Sequence, residues 1–112
     1  ARLYRGAKDQ LQDKATVTLS LAQEIRFADV SAGDISPSGR DIILRRENAA
    51  LLWTRRPGES IAAALARTPV SVPIIGPPRE TNGESIAFHP DGQGYFTLSE
   101  GKGQPIYFFR SK

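Results

Sequence analysis

The chain contains no cysteine and no methionine, and it has one histidine and one tryptophan among its 112 residues. The absence of cysteine excludes a disulfide framework, thiolate metal sites and a cysteine nucleophile. The single imidazole, His89, excludes any site that needs two histidine ligands. No stretch approaches the roughly 18 consecutive apolar residues of a membrane span, so we expect none. Because position 1 is not methionine, we expect a processed chain or an excised piece.

The charge balance is weakly basic. Fifteen Lys and Arg oppose twelve Asp and Glu, which gives a net charge of +3. A nucleic-acid binder would concentrate this excess on one face. The densest clusters are Arg45-Arg46 and Arg55-Arg56, and neighbouring side chains on a strand point to opposite faces. We therefore expect an ordinary solvated sheet edge here and do not favour nucleic acid as a partner.

Two segments of the chain resemble each other at a spacing of 53 residues. Ser36-Pro37-Ser38-Gly39 corresponds to His89-Pro90-Asp91-Gly92, and the same offset places 17–21 on 70–74. One extra residue in the second loop then aligns Leu52-Trp53 with Ile106-Tyr107. Several matches in one register predict two successive structural units. The alignment also predicts that Trp53 and Tyr107 are both buried.

Each unit has the pattern of short strands separated by turns, in which Gly39 and Gly92 supply a positive φ. The predicted strands are 31–35, 41–46, 50–56 and 70–74 in the first unit and 84–88, 94–99 and 104–110 in the second. Two more are predicted before them, at Leu3-Tyr4 and 17–21. Pro73 cannot donate to a ladder, which makes 70–74 an edge strand. An Ala-rich segment bounded by Pro57 and Pro69 predicts a short helix over 59–66.

The order of strand, Pro-Asp-Gly turn, strand, polar loop and Ile-Tyr resembles the WD-like blade of TolB-type β-propellers. Residues 86–107 carry the resemblance most closely, although His89 replaces the usual serine. The earlier copy has Ser38 in place of aspartate and Trp53 in place of tyrosine. The resemblance implies an all-β fold of two consecutive four-stranded antiparallel blades with one short helix. It favours a periplasmic or secreted location.

This interpretation divides the chain into the end of a preceding blade (1–21), a complete blade (22–74) and a last blade without its outer strand (75–112). Two blades cannot close a ring. We therefore expect a homo-oligomer, or a longer chain whose remaining blades complete the ring. In the oligomer, residues 15–21 of a neighbouring copy would cover the open edge of 105–109.

No catalytic, cofactor-binding or metal-binding residue is predicted. His89 and Asp91 have the sequence positions of turn-capping residues. Ser85 lies outside any Gly-x-Ser-x-Gly elbow, and Gly101-Lys102-Gly103 is interpreted as a hairpin tip and not a phosphate loop. The spacing of Asp29, Asp34 and Asp41 does not match a calcium loop. We expect no cofactor.

Three functions stay open at this point. The favoured one is a non-catalytic propeller segment that acts as an interaction or ligand-binding scaffold, with a protein as a candidate partner. The alternative is a fragment of a hydrolase-type propeller enzyme whose active residues lie in missing blades or another subunit. A basic module that binds polyanions is the third.

Overall fold

A computed structural model describes residues 1–111 of the chain. The fold is mostly β with one short α-helix, which confirms that part of the predicted fold class. Three antiparallel sheets contain two, four and three strands in chain order, and they do not close into a ring. Two four-stranded units were predicted, but only the second sheet of the described chain has four strands, and the third has three. The predicted last unit, 75–112, ends on Lys112, which lies outside the described residues.

The middle sheet contains four strands in sequential order: β3 (Ala32–Ile35), β4 (Asp41–Arg46), β5 (Ala49–Thr54) and β6 (Val70–Val72). The apolar run Ile42-Ile43-Leu44 has no polar alternation because both faces of β4 are covered. β6 is an edge strand, as Pro73 predicts.

The third sheet contains β7 (Gly83–Phe88), β8 (Gly94–Ser99) and β9 (Ile106–Arg110). All three overlap the predicted strands. β8 lies in the centre, and β9 forms an edge with no further strand beside it in the described chain.

The N-terminal sheet pairs β1 (Arg2–Arg5) with β2 (Ser20–Glu24). A 3₁₀ turn at Lys8–Gln10 lies between them. The prediction of a strand at 17–21 is wrong by three residues, because β1 ends where Arg5 pairs with Ser20. Residues 17–19 of the predicted strand therefore have no partner strand in the described part of the chain.

The two Pro-containing turns have the same geometry. Gly39 N donates to Ser36 O at 2.8 Å, and Gly92 N donates to His89 O at 2.9 Å. The two glycines have φ of +75° and +73°, in the left-handed region that favours glycine. In both turns the amide of the first residue also donates, at 2.8 Å, to the carbonyl five residues later. The turns thus agree in detail at the spacing of 53 residues.

The register of the strands corrects the sequence alignment at one place. Ile42 pairs with Trp53 in the middle sheet, whereas Tyr95 pairs with Phe109 in the third. Phe109, and not Tyr107, is therefore the counterpart of Trp53. Relative to the spacing of 53 residues, the β8–β9 loop therefore adds three residues, whereas the sequence alignment assumed one extra residue. Trp53 is buried, as predicted, while Tyr107 is only half-buried.

The core consists of two layers, one on each face of the middle sheet. On the first face, Ile42 and Trp53 pack with Ile25, Phe27 and Leu65, and Leu3 of β1 lies against this cluster. The opposite face packs on the third sheet through a second cluster, whose buried members are Ile43, Ala50, Ile86 and Tyr95. The middle sheet is thus covered on both sides.

The helix α1 (Ile61–Leu65) is shorter than the predicted 59–66. Ser60 ends the extended segment before it, and its Oγ accepts a hydrogen bond from Ala63 N at 3.1 Å. Leu65 joins the core beside Trp53, whose Nε1 donates to Arg67 O at 2.9 Å. In residues 1–111, no helix has the length and apolarity needed to cross a membrane.

Candidate interaction surface

The face of the third sheet that points away from the middle sheet is apolar. We call it the outer apolar face, and it consists of Ser85, Ala87, Phe96, Leu98, Ile106 and Phe108. A shallow groove of about 360 Å³ crosses it. Phe108 is 44% exposed and Ile106 is 66% exposed. Large apolar side chains that gather on one exposed face mark interaction sites in soluble proteins.

Three rings fix the geometry at one end of this face. The centroids of Phe96 and Phe108 are 4.8 Å apart, and His89 lies 5.6 Å from each of them. Tilted contacts at these separations are favourable for aromatic pairs. The face therefore presents a packed aromatic surface instead of isolated side chains.

The corresponding face of the middle sheet is covered by a neighbouring sheet, and it can be compared with the outer apolar face. Ile43 pairs with Leu52 across β4 and β5, as Phe96 pairs with Phe108 across β8 and β9. Ile43 is fully buried against the third sheet. The two faces occupy equivalent places in their sheets, but within residues 1–111 only the face of the middle sheet is covered by a neighbouring sheet.

The edge of the third sheet is open as well. Among the described residues β9 pairs with β8 alone, whereas its counterpart β5 has β6 on its other side. An unpaired edge carries free N–H and C=O groups that can template pairing with another strand. The open edge adjoins the outer apolar face, so both belong to one surface.

The residues that the sequence singled out for turn capping do cap the turn. The amide of Asp91 lies 3.1 Å from His89 Nδ1, and Asp91 Oδ1 accepts a hydrogen bond from Gln93 N at 2.8 Å. This backbone bond, more than the nearby imidazole, lowers the pKa of Asp91 below its usual value. His89 Nδ1 also lies 2.9 Å from Asp91 Oδ1.

Most arginines of the two clusters make contacts within the fold. Arg45 is fully buried, so the expectation of a solvated sheet edge is wrong for this residue. The Arg46 guanidinium lies 5.2 Å from the Phe27 ring centroid. Arg55 donates to the carbonyls of Gly39 and Glu59 at 2.7–3.0 Å. Three of the four clustered guanidinium groups thus have intramolecular contacts.

The partner of Arg45 was missed by sequence reasoning. Glu80 lies in the irregular connector between β6 and β7, and it is fully buried. Its Oε1 is 2.7 Å from Arg45 Nη1, while its Oε2 accepts a hydrogen bond from Thr97 at 2.7 Å. A buried arginine requires an acidic or carbonyl partner. The position of Arg45 in an apolar strand therefore indicated that such a partner exists. Nothing in the sequence marked Glu80 as that partner.

A polar cleft of about 480 Å³ opens near this ion pair. Its lining includes Asp29, Ser31, Arg46, Asn82 and Glu84. Among residues 1–111, no group of three His, Asp or Glu side chains is placed to hold a metal ion. Ser31 Oγ in this cleft donates a hydrogen bond to the carbonyl of Gly83 at 3.0 Å.

Comparison of the chain with protein-family models, curated proteins and solved structures gives no match.

Proposed function

We propose that this chain is a non-catalytic interaction scaffold, built from consecutive propeller-type sheet units that associate face to face. The shared backbone hydrogen-bond pattern of the two turns, 53 residues apart, supports the view that the second and third sheets are units of one kind. The packing of the third sheet on the middle sheet supports face-to-face association as the way these units assemble. The resemblance to TolB-type blades is part of this proposal.

One observation carries the proposal. The outer apolar face occupies the place in the third sheet that Ile43 and Leu52 occupy in the middle sheet, where a neighbouring sheet covers it. Burial of apolar area stabilises such a contact by about 25 cal/mol per Å² before the cost of association is subtracted. The exposed Phe108 and Ile106 therefore provide an interface for a further β-sheet of a protein partner.

The enzyme-fragment alternative and the polyanion-binding alternative remain predictions from the sequence. His89 lies against two phenylalanine rings and caps a turn, which is a structural role. The burial of Arg45 removes one cation from the cluster that suggested a polyanion partner. Neither observation favours these alternatives over a scaffold.

The test of the scaffold combines dye binding and thermal unfolding. Phe96→Ser with Phe108→Ser removes the aromatic part of the outer apolar face. We expect this variant to bind several-fold less of the apolar dye anilinonaphthalene sulfonate than the unchanged chain, with a melting temperature lowered by only a few degrees. Such a result would mean that the face is open and is dispensable for the chain's own fold.

Val70→Ser is the matched control, because Val70 is 65% exposed but lies on the edge of the middle sheet. We expect it to leave dye binding unchanged. If the double variant binds as much dye as the unchanged chain, the outer apolar face is not an open surface and the proposal fails.

A further inference from the structure

We propose that the outer apolar face binds the exposed face of the β1–β2 sheet of a second copy of this chain. This inference rests on the proposed scaffold function and names its partner. It joins the third sheet of one copy to the N-terminal sheet of the next.

The covered face of the middle sheet defines the chemistry of the occupant. The side chains that cover it come from all three strands of the third sheet: Ile86, Phe88, Tyr95 and Phe109. They are aromatic and aliphatic, and Tyr95 and Phe109 form a cross-strand pair with ring centroids 5.2 Å apart. An occupant of the equivalent face in the third sheet should present the same kind of cross-strand pair.

The β1–β2 sheet presents such a pair. Tyr4 pairs with Leu21 across the two strands, and these residues are 48% and 53% exposed. Leu3, on the opposite face, packs toward the middle sheet. Tyr4 and Leu21 therefore point away from the rest of the chain.

The side chains of β1 and β5 also have the same orientation relative to the neighbouring sheets. In β5, Leu52 packs toward the following sheet and Trp53 toward the preceding one. In β1, Leu3 likewise packs toward the following sheet, so Tyr4 corresponds to Trp53. The Tyr4 face of the N-terminal sheet therefore corresponds to the face of a sheet that packs on the sheet before it in the chain. The outer apolar face corresponds to the opposite face, on which the next sheet packs.

The edge of the Tyr4 face is polar. Arg2 and Glu24 lie opposite each other in the register and form an exposed ion pair with an N–O distance of 3.5 Å. An apolar centre with a polar rim is the usual composition of a protein interface. Because the two surfaces differ, the contact is head-to-tail, and it produces a ring or an open chain of copies.

Disulfide trapping tests the pairing directly, because the chain has no cysteine of its own. Two single variants, Leu21→Cys and Phe108→Cys, are mixed and oxidised mildly. We expect the mixed disulfide between positions 21 and 108 to exceed both homodisulfides several-fold. Val70→Cys, mixed with Phe108→Cys, is the control for random collisions and should give little product.

Sedimentation velocity of the unchanged chain gives a second measurement that needs no cysteine. We expect the sedimentation coefficient to rise with concentration. Tyr4→Glu and Phe108→Glu should each weaken the association at least about tenfold, since a charge at the interface centre is costly to desolvate. Val70→Glu should leave it unchanged.

A monomer at all concentrations, or a homodisulfide at position 108 that exceeds the mixed one, would overturn this inference. The dye-binding test separates that failure from the failure of the scaffold. If the outer apolar face binds dye but no second copy, only the identity of the partner is wrong. If it binds no dye at a dilution where sedimentation shows a monomer, both proposals fail.

Discussion

Arg45 and Glu80 form a fully buried ion pair, with Nη1 and Oε1 2.7 Å apart, between a central strand and an irregular connector. The guanidinium also donates to the carbonyls of Arg46, Glu47 and Ser85 at 3.1–3.2 Å. Glu80 in turn accepts a hydrogen bond from Thr97 of β8. The pair thus ties the connector to both the middle and the third sheet.

Loss of one partner of this pair should be costly. Glu80→Gln leaves the Arg45 charge buried without its counter-charge, and we expect a loss of about 3–5 kcal/mol in the free energy of unfolding. Glu24→Gln, which affects the exposed pair with Arg2, should cost about 1 kcal/mol or less. Urea unfolding of both variants measures the difference. Equal small losses in the two variants would show that the buried Arg45 charge does not require Glu80 for stability.

Replacing both partners should recover most of the loss. In Arg45→Met with Glu80→Leu, no charge stays buried, and well-packed apolar residues can match a buried ion pair in stability. We expect this double variant to be more stable than Glu80→Gln. A double variant less stable than either single variant would mean that the pair contributes a large net attraction.

Gly83 is required by the same ion pair. A Cβ at this position would lie 1.8 Å from Arg45 Nη2, and the guanidinium cannot move away while it is held by Glu80 and three carbonyls. We expect Gly83→Ala to cost about 1–3 kcal/mol, as overpacking does. Ser85→Ala, at an exposed position on the same strand, is the control. Thermal unfolding that does not distinguish the two variants would contradict this account.

The contact between Glu59 and Arg67 should make stability depend on pH. Arg67 donates to both carboxylate oxygens at 2.7–3.0 Å, and this hydrogen bonding lowers the pKa of Glu59 from 4.5 to about 2. A depressed folded-state pKa contributes stability above the unfolded-state value, and the contribution is lost as pH falls through the folded-state value.

The comparison with Glu59→Gln isolates this contribution. We expect the unchanged chain to exceed the variant in stability above pH 4.5, and the gap to close as pH falls toward 2. Denaturant unfolding at a series of pH values measures the gap. A gap that does not vary with pH in this window would exclude a role for the ionised carboxylate.

Trp53 and Tyr107 should differ in their contribution to stability. Trp53 is 3% exposed in the first core layer, so Trp53→Ala should cost about 3–5 kcal/mol. Tyr107 is half-buried on the edge strand β9, and Tyr107→Ala should cost clearly less. Urea unfolding of the two variants decides this. Equal losses would favour the sequence-based alignment of Tyr107 with Trp53.

Most of the strand order could be predicted from the sequence, because turns and short apolar strands are determined by residues that are close together in the chain. Gly39 and Gly92 marked the two turns correctly, and Pro73 marked the edge strand. The register of β9 could not be predicted, since loop length does not reveal which residues pair. Glu80 was missed for a related reason. Its partner is 35 residues away, and only the tertiary packing brings the two charges together.

In the proposed scaffold the outer apolar face is open to a partner, while the equivalent face of the middle sheet is covered by the third sheet. Hydroxyl-radical footprinting of the unchanged chain in dilute solution measures this by side-chain accessibility. We predict strong oxidation of Phe108 and Ile106 and weak oxidation of Trp53 and Tyr95, which are 3% and 9% exposed. If Phe108 is as protected as Tyr95 in the dilute chain, the outer apolar face is already covered by the chain's own fold, and the proposed scaffold is contradicted.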